Sequence, residues 1–233
     1  MLRKLRLLLR ENILLRRTLY PFAFWLANDV FRLKQRLIKK YGWEAVGKID
    51  LAAKTSGMPY CAFFGTLLGF IREKDFIRND ADMDFALFGR DFAGFFYMLE
   101  EYGFSFERFI LLDSHLKEFS VRYNEISIDF FNNAECSEDG HTWGLFTEKI
   151  GHTWGYLNIP APTRLRNEII HGTSTSIAEN YDAILSQNYG NYKEPVADWN
   201  DNMAPGFKII HRNHEFLLSW DRDEWIAFLA NEI

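Results

Sequence analysis

The chain has 233 residues and is 48% hydrophobic, 17% aromatic and 25% charged. That balance can bury a sizeable core and excludes disordered, collagen-like and low-complexity classes. The formal net charge of -5 is divided unevenly: residues 1–40 carry 11 Lys and Arg against Glu11 and Asp29, and residues 41–233 carry 16 bases against 30 acids. An acidic body of this kind excludes broad binding to nucleic acid, because such affinity depends on neutralising phosphates.

The first 50 residues read as helical. Leu2, Leu5, Leu8, Leu9, Ile13 and Leu14 fall near a 3.6-residue spacing with Arg3, Arg6, Arg10 and Arg17 between them. Pro21 is expected to break this stretch, with a second helix over Asn28 to Tyr41. Such a basic arm (residues 1–40) suits peripheral contact with an anionic membrane; equally, it suits packing on the body or on a partner with its arginines in water. The apolar run Leu19 to Ala27 is too short for a spanning helix, which needs roughly 18 residues or more. Charge interleaved through MLRKLRLLLRENILLRR argues against a secretory signal. Cys61 and Cys136 lie in no disulfide or metal spacing and read as small packed residues. The expectation is a soluble or peripheral protein of a reducing, cytoplasmic compartment.

From Met58 the pattern becomes that of an α/β (α+β) domain, expected over residues 51–233 behind an arm of residues 1–50. Tyr60–Phe64 reads as a buried strand, Thr66–Arg72 as a short helix and Met83–Phe88 as the next strand. Asp91 opens a helix that Gly103 closes. Three short strands follow at Phe106–Leu112, Phe119–Tyr123 and Glu125–Phe131. Gly140-His-Thr-Trp-Gly144 recurs as Gly151-His-Thr-Trp-Gly155, which fits a hairpin whose tryptophans pack; His141 and His152 as a metal or ligand pair is the other reading. Ser176-Ile-Ala-Glu179 and Asp221-Arg-Asp-Glu224 read as capping boxes of two later helices, the first closing at Gly190.

The chemistry concentrates between Gly65 and Asp84. On an extended chain alternate residues share a face, so Asp80, Asp82 and Asp84 converge while Ala81, Met83 and Phe85 turn toward the core. Carboxylates this close raise one another's pKa or call for a cation. An all-oxygen set suits Mg2+ or Mn2+. A calcium loop of the EF-hand kind needs Gly at its sixth position and Glu at its twelfth, where this chain has Phe85 and Asp91. Upstream, Gly65 and Thr66 place backbone N–H groups and a hydroxyl at a helix start, a candidate phosphate site. Arg72 and Lys74 are candidates to hold donor phosphates or to form surface ion pairs. Asp129, the acid inside the apolar strand Ile126–Phe131, is the candidate third carboxylate.

Gly65-Thr-Leu-Leu-Gly69, Arg72, Phe76-Ile77 and Asp80-x-Asp82-x-Asp84 together resemble the signature of the LicD family, which includes bacterial phosphocholine transferases and the fukutin proteins. Ile126-Ser-Ile-Asp129 and Tyr181-Asp-Ala-Ile-Leu185 with Tyr189-Gly190-Asn-Tyr192 and Pro195 resemble its later elements, so the likeness spans roughly residues 55–195. It implies a nucleotidyltransferase-type fold and metal-dependent transfer of a phospho-alcohol from a CDP-activated alcohol donor to a glycan or glycolipid acceptor. In that reading Asp80, Asp82, Asp84 and Asp129 are metal ligands, with Asp129 the alternative base. Attachment of NMP from an NTP to a small molecule uses the same geometry, and a catalytically silent glycan-binding protein is the remaining alternative. The chain departs from the family where Arg78-Asn79 replace its Pro-Trp, where Ala81 replaces one of four acids, and where Phe63-Phe64 replace an Asp-Gly pair.

Overall fold

In a computed structural model, the structure describes residues 13–78, 80–133, 141–150, 153–196, 199, 203–210 and 215–231. Most of the arm's first basic stretch and Cys136 lie outside them. The chain opens with one helix, α1 (Ile13–Ser56). Pro21 therefore does not divide the arm. A proline removes one backbone hydrogen bond, but helix-favouring residues on both sides carry the helix through it. Nor does α1 end at residue 50. Ala45, Val46, Ile49, Ala52 and Ala53 are buried in the main core, so its second half belongs to the body. Asp29 to Leu33, by contrast, are exposed, including Val30, Phe31 and Leu33.

The elements after α1 are β1 (Tyr60–Ala62), α2 (Phe64–Arg72), β2 (Asp82–Leu87), α3 (Phe92–Glu101), β3 (Ser105–Leu112), β4 (His115–Tyr123) and β5 (Ile126–Asn132). Then come β6 (His141–Ile150), β7 (Thr153–Pro160), β8 (Leu165–Ile170), β9 (Thr173–Ala178), α4 (Tyr181–Tyr189), β10 (Phe207–Ile210), β11 (Phe216–Ser219) and α5 (Arg222–Asn231). The strands form a six-stranded mixed sheet in the order β1-β2-β5-β4-β3-β11, with smaller sheets β10-β7-β6 and β8-β9. In the large sheet β2 runs parallel to β5, and the other pairs are antiparallel.

Strand alternation separates the two faces of this sheet. Met83 and Phe85, Phe119 and Val121, and Ile126, Ile128 and Phe130 point into a core shared with α1, α3 and α5. Phe95 of α3 meets Phe130 edge-on at 5.2 Å, and Trp225 of α5 stacks on Phe119 at 5.1 Å. Cys61 sits in the same core, where burial pushes its thiol up to about 12, as a packed rather than reactive residue.

One of the two expected capping boxes forms and the other does not. Ser176–Glu179 does not start a helix, because Thr173–Ala178 pairs with β8 as β9; α4 begins later, after Asn180. The alternation of Thr175 and Ile177 favours a strand, and a capping box alone does not outweigh it. Asp221 does cap α5, accepting from the Asp223 and Glu224 N–H groups. Gly190 closes α4 at a φ of 64°, a conformation that costs glycine little. The His-Thr-Trp repeat is a hairpin of β6 and β7, but register places Trp143 opposite Asn158 and Trp154 opposite Ile210 of β10. The two tryptophans are therefore not cross-strand partners. His152 lies outside the described residues.

Candidate active site

The polar face of the large sheet carries the carboxylates. Asp82 and Asp84 alternate with buried Met83 and Phe85, as the sequence pattern requires. Parallel pairing then sets Asp84 directly beside Asp129, and Asp82 beside Ser127. Asp80 lies in the turn before β2, where its Oδ1 accepts the Ala81 N–H at 2.9 Å. Carboxylate oxygens of Asp80, Asp82 and Asp84 all lie within 4.8 Å of one another, half-buried. Asp80, Asp82 and Asp84 thus converge from one strand and one turn, and Asp129 stands beside Asp84 on the neighbouring strand.

Their electrostatics follow from that crowding. Burial, then the Asp82 charge, pushes Asp80 up to about 8. Burial and the charges of Asp82, Asp80, Asp129 and Glu118 raise Asp84 well above the usual carboxylate range. Burial lifts Asp129 to about 6, against the pull of the Arg108 guanidinium. Each shift records a site too negative to be left with all its carboxylates ionised and uncompensated. Asp129 Oδ1 is also buried with no hydrogen-bond partner. A divalent cation fits on both counts. The donor set is all oxygen, as Mg2+ or Mn2+ prefers, and Asp129, which carries the unpaired buried oxygen, is the register partner of Asp84.

The start of α2 closes one side. Phe63 is the extended residue before the helix, and Phe64 takes a φ of 37°, an uncommon backbone for a bulky residue. Its ring packs edge-on against Phe131 at 5.0 Å, on the face that Asp129 shares. Gly65 follows: a Cβ there would collide with Asp80 Oδ2, so a larger residue has to displace that carboxylate, and would lie 3.7 Å from Asp84 Oδ2. The helix start therefore lies against the carboxylates.

The other proposed phosphate ligands are arranged differently from expectation. Thr66 is buried, and its Oγ1 accepts the Asp84 N–H at 2.9 Å. Its hydroxyl fixes the backbone of a metal-ligand candidate instead of standing open to a phosphate. Replacing Thr66 by Val leaves that N–H without its acceptor, so thermal stability is expected to fall by about 1–3 kcal/mol. Melting curves of T66V and the parent check this, and an unchanged midpoint would refute it.

Arg72 lies at the far end of α2, roughly 10 Å along the helix from Gly65. It donates to Glu73 Oε1 at 2.7 Å and to the Tyr192 carbonyl at 3.3 Å, tying α2 to the turn after α4. Lys74 is exposed in the following turn at a φ of 55°. Neither is brought to the carboxylates, because one helix cannot present both of its ends to one point.

Three residues of the site were missed from the sequence. Across β2, β5, β4 and β3, register aligns Asp84, Asp129, Ser120 and Arg108 in one row. Arg108 Nη2 lies 3.1 Å from Asp129 Oδ2 and 2.6 Å from Glu118 Oε1. Glu118 is buried, which pushes it up to about 7 despite the opposing pull of Arg108. Glu118, Ser120 and Arg122 do alternate with apolar Phe119, Val121 and Tyr123, so their shared face could be read. Their neighbours could not, because register is a property of the assembled sheet.

A mixed sheet with flanking helices and acids on one face is the α/β architecture expected from the sequence. No protein-family model and no curated protein matches the chain. Among solved structures it is similar to the solution structure of the antibiotic-resistance factor ANT(2'')-Ia, at 16% identity and a TM-score of 0.43, over 70% of this chain and 79% of that one. It is also similar to the crystal structure of ANT(2'')-Ia in complex with adenylyl-2''-tobramycin, at 14% identity and a TM-score of 0.39, over 82% of this chain and 96% of that one.

Proposed function

We propose that the protein is a metal-dependent transferase that moves a phosphate-bearing group from a nucleotide-activated donor to a hydroxyl. The observation that carries this reading is the register of β2 and β5, which sets Asp84 beside Asp129 and next to Asp82 and Asp80. Asp82 and Asp84 would hold Mg2+ or Mn2+, with Asp80 and Asp129 completing the set. A bound ion supplies charge neutralisation for the donor's diphosphate and for the departing oxygen. The Gly65 backbone at the start of α2 orients the donor phosphates. In the alternative arrangement, with the ion on Asp80, Asp82 and Asp84 alone, Asp129 is the base that takes the acceptor's hydroxyl proton. The acceptor oxygen then bonds to phosphorus as the bond to the leaving group breaks, pyrophosphate from an NTP or CMP from a CDP-activated alcohol.

Transfer of NMP from an NTP to a small molecule is the first form of this reaction. It asks nothing of the site beyond residues that are present. The second form, transfer from a CDP-activated alcohol to a glycan or glycolipid, is favoured by the Gly65–Asp84 motif. It has to do without the Pro-Trp pair and fourth acid that the LicD signature carries at Arg78-Asn79 and Ala81. Incubating the full chain with Mg2+ and separate pools of NTPs and CDP-alcohols, each with candidate hydroxyl acceptors, separates the two by which donor is consumed. Consumption of neither, or equal consumption by the Asp84→Asn variant, would overturn both forms.

The arm bears on where the acceptor resides. Among the described residues no helix is long and apolar enough to cross a membrane. Exposed Val30, Phe31 and Leu33 nevertheless lie among Arg32, Lys34 and Arg36, a composition suited to an anionic lipid surface. We expect the full chain to co-sediment with anionic vesicles and not with neutral ones. Reversing the three bases to Glu should weaken binding by about 100-fold or more, at roughly 1 kcal/mol per base. Equal sedimentation with both vesicle types would remove the electrostatic reading.

A further inference from the structure

Arg108 and Glu118 lie beyond the residues that the transfer reaction needs for contact with donor or metal, yet both are deeply built into the site. Arg108 Nη2 is shared between Glu118 Oε1 at 2.6 Å and Asp129 Oδ2 at 3.1 Å. Both carboxylates are buried, and Asp129 Oδ1 is left without any hydrogen-bond partner. In the row across the sheet, Arg108 stands on one side of Asp129 and Asp84 on the other. One oxygen of Asp129 is thus tied toward β3, and the second makes no hydrogen bond of ordinary geometry, although Ser120 stands opposite the residue on β4.

We infer that Arg108 is a positioning residue that fixes the Asp129 carboxylate with its free oxygen available to the divalent ion, and that Glu118 in turn anchors Arg108. This rests on the metal-dependent reading above. An unanchored carboxylate on a sheet face samples several rotamers, and ordering it on metal binding opposes affinity. A guanidinium that already holds one oxygen removes that disorder. Groups that orient metal ligands in this way typically change affinity by about 10–100-fold when removed.

Charge complicates the obvious substitution. Arg108→Gln alone leaves Glu118 and Asp129 as buried, uncompensated anions, which threatens folding and would itself tighten cation binding. Two charge-preserving variants isolate the geometry. Arg108→Gln combined with Glu118→Gln removes one charge of each sign. Arg108→Lys keeps the charge but carries it on a shorter, freely rotating ammonium that does not reach the place Nη2 takes between the two carboxylates. The measurement is Mn2+ affinity of the full chain, by isothermal titration or by electron paramagnetic resonance of free Mn2+. Circular dichroism confirms the fold of each variant.

The expected result is a loss of Mn2+ affinity of about tenfold or more in both charge-preserving variants, with Glu118→Gln alone, which retains the Arg108 grip, losing less than either. A purely structural or purely electrostatic Arg108 predicts wild-type affinity in whichever of the two folds, and that result would overturn the inference. Asp84→Asn is the reference. If it binds Mn2+ as tightly as wild type, the metal reading fails and takes this inference with it. If Asp84→Asn loses Mn2+ while the Arg108 variants keep it, the positioning role alone is rejected.

Discussion

Replacing Asp84 by Asn is expected to lower transfer by about 10²–10³-fold while raising the thermal stability of the metal-free protein. Asp82→Asn should lose activity to a similar degree. The activity estimate takes a preorganised charge at the reacting phosphate as comparable to other single electrostatic groups in active sites, which are worth about 3–4 kcal/mol. The opposite sign for stability comes from the crowding. Asp84 is buried among the charges of Asp82, Asp80, Asp129 and Glu118, which raises its pKa well above the usual range. Asparagine has nearly the same shape and removes one of those charges. In a chain of this size each kcal/mol of relief raises the midpoint by roughly 2–4 °C. Initial rates with the consumed donor and melting curves in EDTA measure both effects. An Asp84→Asn protein with full activity would end the assignment, and one that melts lower would show that the crowding argument is wrong.

The second large effect is on pH. Folding raises Asp80 to about 8, Glu118 to about 7 and Asp129 to about 6, in each case mainly through burial. A carboxyl group whose pKa is raised in the folded state binds more protons there than in the unfolded chain. Its contribution to stability is therefore present at acid pH and is lost as pH rises through the folded value. Glu107 runs the other way: despite burial, hydrogen bonds from Arg122 and Ser127 hold it low, so its contribution is lost at strongly acid pH. The metal-free protein should melt highest near pH 5 and lose on the order of a few kcal/mol toward pH 8. Saturating Mg2+ or Mn2+ should flatten that decline, since the ion favours the ionised carboxylates. Midpoints measured across this range, with EDTA and with metal, provide the comparison. A midpoint that does not fall from pH 5 to 8, or a fall of the same size in Asp80→Asn, would contradict the prediction.

Much of this site could be read before any coordinates, and the reasons for the rest are physical. Asp80, Asp82 and Asp84 were legible because alternation along a strand is a local rule, and the apolar residues between them fix the face. Asp129 was legible as an acid inside an apolar strand. Arg108, Glu118 and Ser120 were not, because they enter the site through β3–β4 and β4–β5 pairing, including register shifts after Phe106 and Ile110. Thr66 is legible as a hydroxyl at the helix start, but its contact with the β2 backbone is not. Its buried hydroxyl serves the Asp84 backbone, 18 residues away. The longest element showed the limit of local rules at both ends, since Pro21 did not stop α1 and packing carried the helix on to Ser56.

The parallel pairing of β2 and β5 makes the two faces of the sheet depend on each other. Asp84 and Asp129 stand side by side because their strands are aligned, and part of what aligns those strands is on the reverse face, where Phe85 stacks on Phe130 at 5.8 Å. The buried aromatics act as a template for the acids. A packing fault introduced at Phe85 or Phe130 would therefore be transmitted as misalignment of carboxylates it never touches, and would imitate an active-site lesion in any assay that reads turnover alone. Inherited or engineered changes on the greasy side of this sheet belong in the same class as changes to the acids themselves, distinguishable by the stability they remove along with the activity.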